Sequence, residues 1–190
     1  VVGIVLGVYI GTIVLLNIPS VQQVMSVFVA EELSDLLNTR VTIGRINIGL
    51  LNRIIIDDVL LDDQDEQEML KVTRLSAKFD IMPFFKGKIS ISSVQLFGFN
   101  INLQKKTPDS PPNFKFVLDA FASNDTVKKD NSLDLRINSI LIRRGRMAYH
   151  VLSEEETPGK FNAKHVQLQN IIANISLKAL SKDSINLGIK

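Results

Sequence analysis

Residues 88–103 read Lys-Ile-Ser-Ile-Ser-Ser-Val-Gln-Leu-Phe-Gly-Phe-Asn-Ile-Asn-Leu, and the reading of this stretch sets the reading of the whole chain. Ile89 and Ile91 alternate with serines, the period of two expected of a strand with one apolar face. The alternation then slips, because Ser92 and Ser93 stand together before Val94 and Leu96. A β-bulge, adding one residue to the strand, would return Val94 and Leu96 to the face of Ile89 and Ile91. A tight hairpin fits less well, since neither serine favours the positive φ that such turns need.

The slip recurs. Ile54-x-Ile56-x-Asp58-Val59-x-Leu61, Leu135-x-Ile137-x-Ser139-Ile140-x-Ile142 and Phe161-x-Ala163-x-His165-Val166-x-Leu168 share the order apolar-x-apolar-x-polar-apolar-x-apolar. Their uneven spacing makes a loose repeat and not a solenoid of fixed period. Alternating or apolar runs of strand length fall at 41–50, 53–61, 72–81, 88–94, 96–103, 133–142, 146–151, 163–178 and 184–190. Turn-forming residues separate them at 62–68, 85–88, 107–113 and 154–160. Connections this short favour antiparallel neighbours. Phe114, Val117, Leu118 and Phe121 suggest a short helix on an inserted loop, followed by a polar segment at 124–132.

Each strand has one apolar and one polar face. In 72–81, Leu75, Ala77, Phe79 and Ile81 share one face, and Ser76, Lys78 and Asp80 the other. A sandwich would bury the apolar faces against a second sheet, and a barrel would bury them inside. After residue 41 almost no helix is present to cover them. The expected fold is therefore mainly β: a twisted antiparallel sheet curled by its bulges into an open apolar groove. Its lining is expected to be Leu75, Ala77, Phe79, Ile81, Ile89, Ile91, Val94, Leu96, Leu135, Ile137, Ile140 and Ile142.

Residues 1–18 carry no charge, close to the shortest apolar run that spans a bilayer as a helix. Gly3, Gly7 and Gly11 form two overlapping G-x-x-x-G frames, a face that permits close helix packing. A cleaved signal peptide would have a shorter apolar core and a small-x-small site after it. Pro19-Ser20 then starts a second helix running to about Asn38. Its apolar stripe is expected at Val21, Val24, Met25, Phe28, Leu33, Leu36 and Leu37. The polar residues off that stripe include Glu31, Glu32 and Asp35, whereas membrane-surface helices favour Lys and Arg. The helix is accordingly expected to plug the end of the β structure, with Val24, Met25, Phe28, Leu33, Leu36 and Leu37 as its groove-end residues. Three segments result: an anchor at 1–18, a capping helix at 19–39, and the N-terminal part of a β-groove domain at 40–190. Ile185, Leu187 and Ile189 alternate up to the last residue, and no basic flank precedes the anchor. Both features lead us to expect that the chain is a piece of a longer protein.

The chemistry available is narrow. A net charge of +2 makes no case for nucleic acid. With no cysteine, disulfides, thiol nucleophiles and cysteine-ligated metals are excluded. His150 and His165 are read as strand positions and not as a metal site. The acidic run at 57–68 lacks the glycine that an EF-hand calcium loop needs, and is read as a solvated hairpin turn. No Gly-rich phosphate loop or Gly-x-Ser-x-Gly elbow is present. Arg143-Arg144-x-Arg146 flanks a proposed hairpin at Gly145, where a charged strand edge deters aggregation; contact with anionic lipid headgroups is the other reading. Asn124 and Asn174 sit in glycosylation-type triplets of low specificity. No enzyme activity and no cofactor are expected.

The order of elements resembles the AsmA-like proteins of Gram-negative envelopes, and within them the N-terminal part of the TamB branch. The carriers are the apolar anchor, the short helix, and then Val41-Thr-Ile-Gly-Arg-Ile-Asn-Ile, Ile56-Asp-Asp-Val-Leu-Leu-Asp-Asp, Leu75-Ser-Ala-Lys-Phe-Asp-Ile and Gly87-Lys-Ile-Ser-Ile-Ser-Ser-Val-Gln-Leu-Phe-Gly-Phe-Asn-Ile. The resemblance covers 1–103 well and the remainder loosely. It implies a long β-groove anchored by a single pass in the inner membrane, with the β domain in the periplasm. It further implies phospholipid transport between inner and outer membranes, in support of outer-membrane biogenesis. The alternative it implies is a scaffold or chaperone that assembles outer-membrane β-barrels. The outer-membrane partner would be a BamA-like barrel, met through a region absent from this chain.

Overall fold

The computed structural model describes residues 2–49, 52–80, 91–123, 139–181 and 184–189. Two helices, α1 (Val2–Leu16) and α2 (Pro19–Leu37), lead into strands β1 (Val41–Gly49), β2 (Arg53–Asp62), β3 (Glu68–Phe79) and β4 (Ile91–Lys105). Helix α3 (Lys115–Ser123) follows, and then β5 (Ser139–Val151), β6 (His165–Ser181) and β7 (Ser184–Ile189). All seven strands form one sheet in chain order. The fold is β-dominant, as expected. The expected curl into a groove is not seen: the sheet is open, and within it β1 and β7 each pair on one side only.

Three further expectations change. The described parts of the runs at 88–94 and 96–103 belong to one strand, β4, and those of the runs at 133–142 and 146–151 to another, β5. The sheet is not wholly antiparallel, because β4 and β5 run parallel, with Ser93 beside Ser139 and Lys105 beside Val151. A parallel pair needs a crossover connection and not a hairpin, and the segment carrying α3 supplies it. The octamer at 161–168 is not a strand throughout: Phe161 is 87% exposed, and an Asn162–His165 bridge makes 162–165 a turn. Asn162 Oδ1 accepts from the Lys164 backbone N–H, an Asx turn that competes with extension. Ile81, Ile89, Leu135, Ile137, the turn at 85–88 and the polar segment at 124–132 lie outside the described residues.

The uncharged N-terminal run forms α1, and the break expected at Pro19-Ser20 is present. Asn17 turns its amide onto the Ile13 carbonyl and across to the Ile48 carbonyl of β1, both at 2.8 Å. Pro19, which has no N–H, starts the next helix where a missing donor costs nothing. The two helices bend by 71°. Neither is alone long and apolar enough to cross a membrane, but the bent pair has the length and composition to do so. Ile4, Val5, Val8, Ile10, Val14 and Leu15 of α1 are exposed, and nothing lies against Gly3, Gly7 or Gly11.

Helix α2 packs along β1 through Gln22, Ser26, Ala30 and Leu37. This face is small and polar, offset from the stripe expected from sequence. Leu37 is buried and Met25 and Leu33 are half-buried, whereas Val24, Phe28 and Leu36 are exposed. Small side chains let the helix approach closely, and Gln22 Nε2 reaches Asn47 Oδ1 at 2.7 Å. At the far end of α2, Leu33 and Leu37 meet Val41, Leu61, Met69 and Leu70 of the sheet. Phe114, Phe116, Val117 and Ala120 complete this cluster from the side of α3.

The 62–68 turn is a hairpin, but its centre is not solvated. Asp63 is 1% exposed. One carboxylate oxygen accepts from the backbone N–H groups of Asp65 and Gln67, and the other from Gln104 and Asn113 side chains, all at 3.0–3.1 Å. Those donors would repel a calcium ion. Burial pushes the Asp63 pKa up, but the hydrogen bonds from Asn113, Gln67, Asp65 and Gln104 outweigh it and hold it below the usual value. Its folded pKa is thus depressed, so its stabilisation is complete above the unfolded pKa near about 3.9. That stabilisation is lost as pH falls through the folded pKa. We expect Asp63→Asn to cost roughly 2 kcal/mol at pH 7, since charged hydrogen bonds are the stronger kind and the new NH₂ faces donors. Chemical denaturation in detergent should show this loss at neutral pH and a flatter stability profile below about pH 4 than the parent shows.

Candidate functional site

The candidate site is the apolar face of the sheet. Backbone register collects its residues into rows that cross the strands. One row is Ile46, Ile56, Leu75, Leu96, Ile142 and Ala173. The next is Ile48, Ile54, Ala77, Val94, Ile140 and Ile175. Phe79 pairs with Ile91 one step further on. All eight described lining residues expected from sequence therefore fall together: Leu75, Ala77, Phe79, Ile91, Val94, Leu96, Ile140 and Ile142.

Two further rows extend the expected lining; of their members only Val59, Leu61 and Leu168 are marked by the octamers. Ile43, Val59, Val72 and Phe99 form one, and Val41, Leu61, Leu70, Ile101, Met147 and Leu168 the other. They escape a simple alternation because their positions have opposite parity to the first two rows. In every strand from β1 to β5 two residues off this face intervene: Gly44-Arg45, Asp57-Asp58, Thr73-Arg74, Phe97-Gly98 and Arg143-Arg144. The slip thus falls on one line across the sheet. Asp58, Gly98, Arg144 and Asn170 on or beside that line have φ of 54–64°, the left-handed conformation that reverses which face the next residue takes.

This differs from the expected bulge. Pairing of β1, β2 and β3 keeps the same register on either side of Asp58, so no strand carries an extra residue there. At Ser92 the expected bulge is present. Lys78 pairs with Ser93 and Phe79 with Ile91, leaving Ser92 as the inserted residue. Ser92 Oγ donates to the Lys78 carbonyl at 3.2 Å. The 54–61 and 89–96 octamers therefore look alike in sequence but sit on different lines of the sheet.

The line combines close approaches with charge. A Cβ on Gly98 would lie 2.8 Å from Thr73 Oγ1. Gly145 is no hairpin: it lies inside β5 beneath the Phe99 ring, and a Cβ there would come within 2.2 Å of that ring. Arg143, Arg144 and Arg146 accordingly flank a packing site in an internal strand and not a charged edge. On the polar face Arg45, Asp57, Arg74, Phe97 and Arg143 are cross-strand neighbours in that order. Arg74 grips Asp57 with Nε at 2.6 Å and Nη2 at 3.2 Å, and Arg144 stacks 5.1 Å from the Phe97 ring centre. A furrow of about 520 Å³ runs here, lined in part by Lys71, Thr73, Asn100 and Arg146. No residue in the four apolar rows is charged.

The chain matches no protein-family model, no curated protein and no solved structure.

The Phe99–Gly145 contact yields a test. Gly145→Ala should destabilise the fold by roughly 2 kcal/mol through overpacking, read by denaturant unfolding. On a Phe99→Leu background the same substitution should cost less than half as much, because the ring that it strikes is gone.

Proposed function

We propose that the apolar rows form a track for phospholipid acyl chains. The chain would then be an inner-membrane-anchored periplasmic protein that conducts lipid between inner and outer membranes and so supports outer-membrane biogenesis. The observation that carries this reading is the make-up of the face: four adjoining rows, contributed by up to six strands, without a charged side chain. An acyl chain moved from water onto such a surface gains about 0.8 kcal/mol per buried CH₂. Uniform rows make that gain nearly constant along the strand order, so lipid slides without a deep trap. A charge on the face would be a barrier.

The helices support the same reading. Exposed apolar side chains of α1 and of the outer face of α2 suit a bilayer, and the bent pair starts beside Ile48 at one end of a row. Leu33 and Leu37, with α3, close over the row that begins at Val41, consistent with α2 as a plug at the β1 end of the track. The left-handed residues aligned across the sheet give it a line along which to bend, which would turn the face into a groove. The AsmA/TamB resemblance points the same way, with a BamA-like barrel as the partner at the far end.

Photoreactive residues at Phe79, Ile91 and Leu96 test the proposal in Gram-negative cells, with Lys71 on the opposite face as control. Phospholipid adducts at the first three positions and not at Lys71 are expected. Adducts only to nascent outer-membrane proteins would replace the lipid track by the assembly-scaffold reading. Leu96→Glu should abolish the lipid adducts at Ile91 while the far-ultraviolet circular dichroism is kept.

A further inference from the structure

Independently of the lipid reading, we propose that His150, His165 and Glu156 form a divalent transition-metal site, zinc by preference, that clips the β5–β6 hairpin on its polar face. His150 and His165 are direct cross-strand partners at the last rung of the hairpin. Tyr149 and Val151, which flank His150, alternate with it and take the opposite face. The metal site is therefore separate from the apolar rows.

The geometry is that of a ligand set. His150 Nδ1 and His165 Nδ1 are 3.1 Å apart. Glu156 Oε1 lies 3.7 Å from the first and 3.8 Å from the second. A triangle with these sides has a point about 2.1 Å from all three atoms, the length of zinc bonds to imidazole nitrogen and carboxylate oxygen. Two imidazoles and a carboxylate are also the donors that zinc prefers over calcium or magnesium. That point lies in the plane of the three atoms; closing of the exposed Glu156 carboxylate toward the two nitrogens would lift the ion out of that plane and leave a fourth, tetrahedral position to solvent.

The surroundings prepare the nitrogens for this role. His165 Nε2 lies 2.9 Å from the Glu154 carbonyl, which can only accept, so Nε2 carries the hydrogen. In the neutral ring Nδ1 then presents its lone pair toward His150. Metal-bound histidines show this arrangement, in which the second nitrogen donates to a carbonyl and fixes the ring. The loop that carries Glu156 is tied down on both sides. Lys164 Nζ pairs with Glu154 Oε1 at 2.7 Å, and Asn162 Nδ2 donates to the Glu155 carbonyl at 3.3 Å. His165 is 10% exposed and His150 27%, sheltered yet reachable, while the Glu156 carboxylate is 67% exposed and free to close. Among the described residues this is the one group of three metal-ligating side chains with converging ligand atoms.

The test uses the untagged full chain in detergent, stripped with a chelator. Titration with Co²⁺ should give the visible absorption of a tetrahedral N/O site, lost again on adding one equivalent of Zn²⁺. Calorimetry should find one Zn²⁺ per chain. Glu156→Gln, at an exposed position that leaves folding intact, should weaken zinc at least about tenfold, since even outer-shell partners are worth 10–100-fold. His150→Ala should weaken it further, and zinc should raise the Tm of the parent but not of either variant. Absence of zinc binding by the parent, or binding unchanged in both variants, would overturn the site and leave a hydrogen-bonded histidine pair.

Discussion

The structure depends on one constraint, the register that makes neighbouring strands lose their alternation at the same level. A strand whose side chains change parity would, beside a regular neighbour, turn half of its apolar residues to solvent. Here β1 through β5 change together between Ile46 and Ile43, Ile56 and Val59, Leu75 and Val72, Leu96 and Phe99, and Ile142 and Gly145. The apolar face survives because each neighbour makes the same move. The cost is strain, roughly 1–2 kcal/mol for a non-glycine residue held left-handed, met at Asp58, Arg144 and Asn170 and avoided at Gly98.

Packing and charge along the line explain each other. Where backbones crowd, the chain uses Gly98 against Thr73 and Gly145 beneath Phe99. Where two successive residues leave the apolar face, they are free to be charged, and Arg45, Asp57, Arg74 and Arg143 follow one another on the opposite side. Asp57 sits between two arginines, an arrangement that favours cross-strand pairing. The arginines that looked like an edge device in sequence are thus the polar counterpart of the phase slip. Asp63 does comparable work at one end of the sheet, where a single carboxylate satisfies a hairpin, β4 and the segment entering α3.

Much of this was legible beforehand because strand periodicity is local. The β class, the hairpin at 62–68, the bulge at Ser92 and the common face of Leu75, Ala77, Phe79, Ile91, Val94, Leu96, Ile140 and Ile142 follow from patterns a few residues long. The second pair of rows did not follow, since Val72 and Phe99 have the wrong parity for an alternation begun at Leu75 and Leu96. The face of α2 was misread for a related reason. Hydropathy picks out Val24 and Phe28, but the sheet takes Gln22, Ser26 and Ala30, whose size permits close approach.

By itself the sequence determined an uncharged N-terminal run, a β-rich body with one apolar face, and a phase slip in four octamers. Tertiary structure alone decided that the slips align and that β4 and β5 run parallel. It also decided which distant residues meet. His150 and His165 look unrelated along the chain, and only the register of β5 on β6 sets their nitrogens 3.1 Å apart. The physical reason is that alternation is encoded within a strand, whereas register is set between strands by hydrogen bonds that carry no side-chain label.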